Sequence, residues 1–243
     1  AAWPCLAPPL GPADALSRLY ATRPAQGSRG FAPALIDLLR SFAHAGRTLL
    51  GPDDVAIELR LDPRYREVAA GFQSVADAAN ADRAMLRHLV IDGLSLEEID
   101  GPRVRVVSLA GCDDAEALRL ADDVAVELGT DQVALVVGPA SALCDRLSGD
   151  LYDDRRKTIE MRALQTRPLI AAFKLPRGLW RDAHRQNLGL WVLRGGVAAT
   201  GVLVADLSGR VIDNGELADD VLGALQQTGA RSYRYGRVVS YNE

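Results

Sequence analysis

Cysteine, histidine and lysine are all scarce in this chain, and each scarcity closes off a class of chemistry. The three cysteines, Cys5, Cys112 and Cys144, lie far apart and show no C-x-x-C spacing. They build neither a disulfide framework nor a zinc site, and they fit a reducing cytoplasm. The three histidines, His44, His88 and His184, are isolated from one another, whereas a zinc hydrolase needs them clustered with carboxylates. Neither Ser108 nor Ser141 sits in a G-x-S-x-G elbow, so a serine hydrolase has no nucleophile here. Lys157 and Lys174 are the only lysines, neither follows a glycine loop, and no G-x-x-x-x-G-K-[ST] phosphate loop exists. There is no basic-then-apolar leader, so secretion is not expected. The least polar stretch, 188–207, is broken by Arg194, Gly195-Gly196 and Gly201. It reads as two strands around a turn and not as a membrane span.

What remains is an ordinary core-forming composition. The chain has 243 residues, 48% hydrophobic and 25% charged, enough for one large domain or two small ones. Its 28 basic and 32 acidic residues give a net charge of -4, which excludes a wholly basic nucleic-acid coat but not a local basic patch. Abundant Ala, Gly and Asp, with Arg in place of Lys, reflect a GC-rich genome. The start AAWP, without Met, and the strand-like end VVSYNE suggest a piece excised from a longer protein.

Residues 1–12 are proline-rich and read as an entry linker. Asp14 caps a short helix with Leu16, Leu19 and Tyr20, and Pro33 begins a clearer one with Leu35, Ile36, Leu38, Leu39 and Phe42 on one face, closing at Gly46. Thr48–Leu50 and Val55–Leu61 read as short extended segments. Arg64 to about Asp92 reads as the longest helix. The character then changes. VRVVSL (104–109), QVALVVG (132–138), PLIAAFKLP (168–176), LGLWVLRG (188–195) and GVLVADLSG (201–209) are short β-branched or apolar runs. Between them fall amphipathic helices at 113–128, 139–147 and 155–164, with a last helix at 217–225. Strands apolar on both faces that alternate with helices predict an α/β fold, a mostly parallel sheet covered on both sides. The strands at 188–207 are expected to close it as a terminal antiparallel hairpin. The acidic pairs Asp53-Asp54, Asp113-Asp114, Asp122-Asp123, Asp153-Asp154 and Asp219-Asp220 fall at predicted helix starts and faces, where capping and solvation account for them.

One loop concentrates binding chemistry. Between the strands at 168–176 and 188–195, the chain places Arg177, Trp180, Arg181, His184, Arg185, Gln186 and Asn187. Arginines with an aromatic and amides at the rim of a sheet suit phosphate contacts and base stacking. The alternative is a solvated loop whose Trp180 covers the sheet edge. Further on, ARSYRYGRVVSY (230–241) interleaves Arg231, Arg234 and Arg237 with Tyr233, Tyr235 and Tyr241. Such a segment can follow a nucleic-acid backbone, or it can be an edge strand or a connector to a further domain.

The order GPAS (138–141), strand, LPRGLW (175–180), loop, LGLWVL (188–193) resembles the second half of the N6-adenine DNA methyltransferase domain. It is most similar to modification subunits of type I restriction systems and their actinobacterial N-6 DNA methylase relatives. The resemblance spans about 104–210, is weak over 31–100 and is absent before that. It implies a helix-rich N-terminal segment over 1–100 and a Rossmann-like methyltransferase-type domain over 101–243, with S-adenosylmethionine as cofactor. Two of the family's motifs are missing. Its DPxxGxG-like loop brings backbone close to the cofactor, and the nearest stretch here, Leu49-Leu50-Gly51-Pro52-Asp53-Asp54, has one glycine. Its [ND]PP[FY] motif, which holds and stacks a flipped adenine, should follow VRVVSL, where the chain reads Ala110-Gly111-Cys112-Asp113. Glu58 and Asp62 are the candidates for the acid that holds the cofactor ribose.

The reading that follows is a degenerate adenine-methyltransferase-like domain that binds DNA, or docks other subunits of a modification or defence system, without a catalytic residue of its own. The alternatives are an active or fragmentary S-adenosylmethionine-dependent adenine methyltransferase, and a structural domain that dimerises through an apolar sheet edge. No membrane association is expected.

Overall fold

The strands of this chain are hydrophobic on both faces because each face meets a different set of helices. The computed structural model describes residues 30–51, 55–77, 83–97, 101–160, 166–181, 186–227 and 232–241. In chain order the elements are α1 (Pro33–Leu50), β1 (Ala56–Arg60), a 3-10 turn (Pro63–Ala69), β2 (Ser74–Ala76), α2 (Arg83–Ile91), β3 (Ser95–Glu97) and β4 (Arg103–Ser108). They continue with α3 (Asp114–Val126), β5 (Gln132–Pro139), α4 (Ala140–Leu143), α5 (Asp150–Glu160), β6 (Leu169–Lys174), β7 (Leu188–Arg194), β8 (Gly201–Asp206), α6 (Asn214–Leu225) and β9 (Arg237–Ser240).

The strands form one sheet in the order β3-β2-β1-β4-β5-β7-β6-β8-β9. From β3 to β5 all neighbours are parallel. β7 runs antiparallel between β5 and β6, β8 lies parallel to β6, and β9 closes the edge antiparallel to β8. The chain therefore winds outward from β1 to β3 and then returns to lay β4 on the other side of β1. That reversal opens a crevice at the carboxyl ends of β1 and β4, where open α/β sheets bind their ligands. β1 and β4 pair over five residues, from Ala56↔Arg103 to Arg60↔Val107, so the sheet continues across residue 100.

The two-sided pattern is clearest on β5. Val133, Leu135 and Val137 join one core with Ile57, Leu59, Val104 and Val106 beneath α1 and α6. Ala134 and Val136 join the other, with Val107 and Leu109, beneath α3 and α4. α1 starts on Pro33, whose fixed φ suits a first helical turn, and buries Leu35, Leu39 and Phe42 completely. α3 is capped by Asp113, which accepts from Glu116 N at 2.9 Å, and α6 by Asp213, which accepts from Gly215 N and Glu216 N.

Three expectations about local structure need correction. Thr48–Leu50 is not extended, because α1 carries on to Leu50. Arg64–Asp92 is not one helix but the 3-10 turn, then β2, then α2. Its apolar residues, Val68, Phe72, Val75, Met85 and Leu89, are all buried, so their helix-like spacing came from facing one core through three different elements. Gly71, at φ +89°, turns the chain out of the 3-10 segment, and the ring of His44 reaches Ala70 O at 2.9 Å to hold that turn against α1. Antiparallel strands do stand at the C-terminal end of the sheet, but 188–194 and 201–206 are not hairpin partners, because β6 lies between them. The connecting residues pass beneath the amino end of β6, where Arg167 N donates to Val197 O at 2.9 Å.

Candidate functional site

The carboxyl end of β1 runs directly into Leu61-Asp62-Pro63-Arg64-Tyr65. Asp62 Oδ1 accepts from Arg64 N at 3.0 Å and from Arg64 Nε at 2.9 Å, so the carboxylate caps the 3-10 turn and pairs within it. The Tyr65 ring stacks on Phe31 with centroids 4.8 Å apart, and its hydroxyl accepts from Phe31 N at 2.8 Å. The first glycine after β1 is Gly71, at the far end of the turn. A loop whose backbone must approach a cofactor closely needs glycine at its start, and here side chains of Arg64 and Tyr65 occupy that stretch. Gly51 precedes β1 and so lies at the opposite end of the strand from the crevice, while residues 52–54 of the expected glycine-loop stretch lie outside the described residues.

Glu58 sits in the middle of β1, completely buried, on the face that meets α3. It accepts from Arg60 Nε at 2.7 Å and from Arg105 Nε at 2.9 Å, and Glu127 joins the same two arginines at 2.9 and 3.1 Å. The carboxylate nearest the role that sequence reasoning assigned to Glu58 and Asp62 is Asp77, the residue after β2, at the carboxyl end of the strand beside β1. In dinucleotide-binding α/β folds an acid about twenty residues beyond the first strand turn holds a ribose. Asp77 is paired with Arg83 Nη1 at 2.8 Å. It was missed because β2 is three residues long inside a stretch with helical spacing. The one signal for it was Ser-Val-Ala followed by Asp after the Gly71 turn.

At the carboxyl end of β4, Gly111 (φ +98°) turns the chain and Asp113 caps α3. Cys112 is half-buried, and burial together with Glu116 and Asp113 pushes its thiol pKa up, away from the reactive thiolate. Ser141 Oγ donates to Asp114 Oδ1 at 2.6 Å.

The remaining carboxyl ends gather arginines. After β6, Arg177 and Arg181 are exposed and Trp180 is half-buried against the core and paired with Phe31. The loop is tied to the segment before α1 by Ala32 N to Leu179 O and Arg181 N to Gly30 O, both 2.8 Å. Asn187 steadies it from the other side, accepting from Arg177 Nε and donating to Leu175 O at 3.3 Å each. His184 and Arg185 lie outside the described residues. After β8, the exposed Arg210 donates to Tyr235 O at 3.1 Å. Arg234 pairs with Glu216 of α6 and lies over the Tyr235 ring. Arg237 opens β9, which runs antiparallel to β8 and so begins at this same rim. Among the described residues, Arg177, Arg181, Arg210 and Arg237 have no carboxylate within ion-pair distance; the side-chain partners of Arg177 and Arg210 are the neutral Asn187 and Tyr235 O.

This topology has solved counterparts. The type I restriction-modification methyltransferase subunit from Streptococcus thermophilus superposes with a TM-score of 0.55 at 12% identity, over 88% of this chain and 56% of that one. The type IIG restriction endonuclease BpuSI gives 0.55 at 15% identity, over 95% and 33%. A modification subunit of a type I restriction enzyme from Vibrio vulnificus gives 0.52 at 11%, over 92% and 58%. The fold is that of restriction-modification methyltransferase subunits. No protein-family model and no curated protein match the sequence. The chain spans a little over half the length of the two subunits and a third of the endonuclease. Among the described residues no helix is long and apolar enough to cross a membrane, and no cluster of metal-ligating side chains forms.

Proposed function

We propose that this methyltransferase-fold domain binds DNA along its arginine rim, as part of a DNA modification or defence system, and does not itself transfer methyl groups. The observation that carries the reading is the set of Arg177, Arg181, Arg210 and Arg237, brought from two loops and the first residue of β9 to the carboxyl ends of β6 and β8 with no carboxylate partner among the described residues. Phosphate contacts of this kind position a protein on DNA without reading its sequence. Arg177, Arg181 and Trp180 are the core of this surface, and Arg234 supports it by holding the 232–236 turn on α6. The neighbouring structures are restriction-modification proteins, which supports DNA as the partner and other subunits of such an assembly as companions.

The second half of the proposal rests on the crevice. The residues there do not fit S-adenosylmethionine, because the turn after β1 has no glycine before Gly71 and Asp62 is spent on its own turn; the motif that would hold a flipped target adenine is also missing, with Ala110-Gly111-Cys112-Asp113 in its place. The competing reading, a working methyltransferase, draws support from Asp77, which stands at the correct end of β2 and whose Arg83 partner is exposed enough to swing away.

Fluorescence anisotropy with a duplex DNA probe, together with calorimetric titration by S-adenosylmethionine, tests both halves. DNA binding with no heat of cofactor binding is expected. Micromolar cofactor affinity that is lost in Asp77→Ala, with methyl transfer to adenine, would replace this reading by the enzyme. Absence of DNA binding would remove the arginine rim as its basis.

A further inference from the structure

On the face of the sheet that carries α4 and α5, a cleft of about 580 Å³ opens between those helices and strands β6, β8 and β9. It stands apart from the β1–β4 crevice: three strand-to-strand steps separate β4 from β6, about 14 Å at the usual spacing. Its floor is apolar, formed by Ala172, Trp191 and Val204, with Tyr241 at one end. The Trp191 indole, nearly fully buried beneath the floor, uses its N–H on Leu143 O at 2.8 Å, and the Tyr241 hydroxyl is used on Leu169 O, so the surface that Ala172, Val204 and Tyr241 present is methyl and ring and not free polar groups. The volume falls within the range of small-molecule pockets and far exceeds that of a bare inorganic anion.

The wall carries an unusual cation. Arg155 is half-buried on α5, and its Nη1 donates to Ala142 O at 3.2 Å and Asp145 O at 2.7 Å, capping the end of α4. Those two bonds use one nitrogen. The Nε–Nη2 edge, the side of a guanidinium that matches a carboxylate or sulfonate with two parallel bonds, has no carboxylate among the described residues. Burial lowers the Arg155 pKa, a cost that an anion in the cleft would offset. The other charges around the cleft nearly cancel. Lys174 Nζ lies 2.6 Å from Asp145 Oδ1, and Asp206 is held by Ser208 N at 2.9 Å and Ser208 Oγ at 2.6 Å, while Arg237 stands at the mouth. Lys174 offsets Asp145, and Arg237, which the cleft shares with the arginine rim, offsets Asp206, so Arg155 is the cleft cation that keeps no carboxylate partner among the described residues.

We propose that this cleft binds a small organic monoanion with an apolar body, the anionic group on the free edge of Arg155 and the body against Ala172, Val204 and Trp191. The inference does not depend on the DNA-binding reading. Anilinonaphthalenesulfonate, which joins fused rings to one sulfonate, and N-phenylnaphthylamine, which has the rings without the charge, are suitable fluorescent probes for the intact chain. Saturable binding of one anionic dye per chain is expected. Arg155→Gln should weaken that dye by about tenfold or more, the value of a lost charge-assisted pair, and leave the neutral dye within about twofold. Ala172→Trp, which fills the floor, should abolish both. Because Arg155 also caps α4, Arg155→Lys serves as the control that keeps the charge, and circular dichroism confirms that each variant is folded. Failure of the anionic dye to bind the wild-type chain, or equal binding by wild type and Arg155→Gln, would overturn the proposal.

Discussion

Glu58 and Arg105 meet across the β1–β4 boundary at 2.9 Å, and both are buried inside the sheet face that α3 covers. The pair explains how a strand that reads Ala-Ile-Glu-Leu-Arg can lie in the middle of a sheet: Arg60, Arg105 and Glu127 complete a network in which each charge faces an opposite one. A buried pair of this kind adds little over an apolar pair of equal volume, but removing one partner leaves the other charge uncompensated. Glu58→Ala is therefore expected to cost about 3–5 kcal/mol, read from thermal or urea unfolding. A cofactor-binding role for Glu58 predicts the reverse, an undisturbed melting curve.

Cys144 gives a pH-dependent counterpart. Burial pushes its thiol pKa up to about 12, against 9.0 for a free thiol, and Sγ donates to Phe173 O at 3.3 Å. The native thiol keeps its proton where the unfolded one has lost it. The contribution of this group is therefore fully present below pH 9 and is lost as pH rises towards 12. Between those limits the wild-type chain should lose up to about 1.4 kcal/mol per pH unit more than Cys144→Ala does. Unfolding curves for the two proteins at several alkaline pH values would show it, and parallel slopes would contradict it. The same protonation makes Cys144 inert to iodoacetamide at neutral pH until the chain unfolds.

The parts of this fold that could be read from the sequence are those whose burial is two-sided. The segments around VRVVSL, QVALVVG and LGLWVL announce themselves because both faces are apolar, and the structure places β4, β5 and β7 within a residue or so of them. β2 and β3, at three residues each, leave no such trace, and Val75 on β2 imitated a helical position by facing the same core as Phe72 and Met85. Strand order was not legible at all. Nothing local in residues 188–194 says that they pair with both β5 and β6, because that choice is made by contacts far away in the chain, such as Leu135↔Val192. The same holds for the site. Arg177 and Arg181 drew attention as neighbours of an aromatic, but Arg210 joined them only through the topology that sets β8 beside β6.

The arginine rim predicts a salt dependence. If Arg177 and Arg181 each neutralise one phosphate, the double variant Arg177→Ala/Arg181→Ala should weaken DNA binding and lower the slope of log K against log salt by about two. Arg210→Ala/Arg237→Ala should act in the same way from the other end of the rim. Arg119→Ala/Arg156→Ala, drawn from exposed residues already paired with Asp123 and Glu160 on their own helices, should leave both affinity and slope unchanged. Equal effects from all three doubles, measured by anisotropy over a range of salt, would point to diffuse charge and not to the rim.

Gly195 tests the crossing that separates β7 from β8. A Cβ at this position would stand 1.9 Å from Gly129 O and 2.9 Å from Leu128 O, both backbone atoms that cannot rotate aside. Gly195 N donates to Gln132 O at 3.0 Å, so the backbone cannot withdraw without breaking a bond at the start of β5. Close approach of two chain segments, and not dinucleotide binding, is thus what the Gly195-Gly196 pair serves, with Gly196 at φ +69° completing the turn. Gly195→Ala should destabilise the fold by about 1–3 kcal/mol or more, as overpacking against rigid backbone does. Gly209→Ala, where a Cβ meets nothing within 4 Å, should be close to neutral. A Gly195→Ala chain that melts with the wild type would mean that the 195–200 segment does not pass against residues 128–129, and the placement of β7 between β5 and β6 would have to be revised with it.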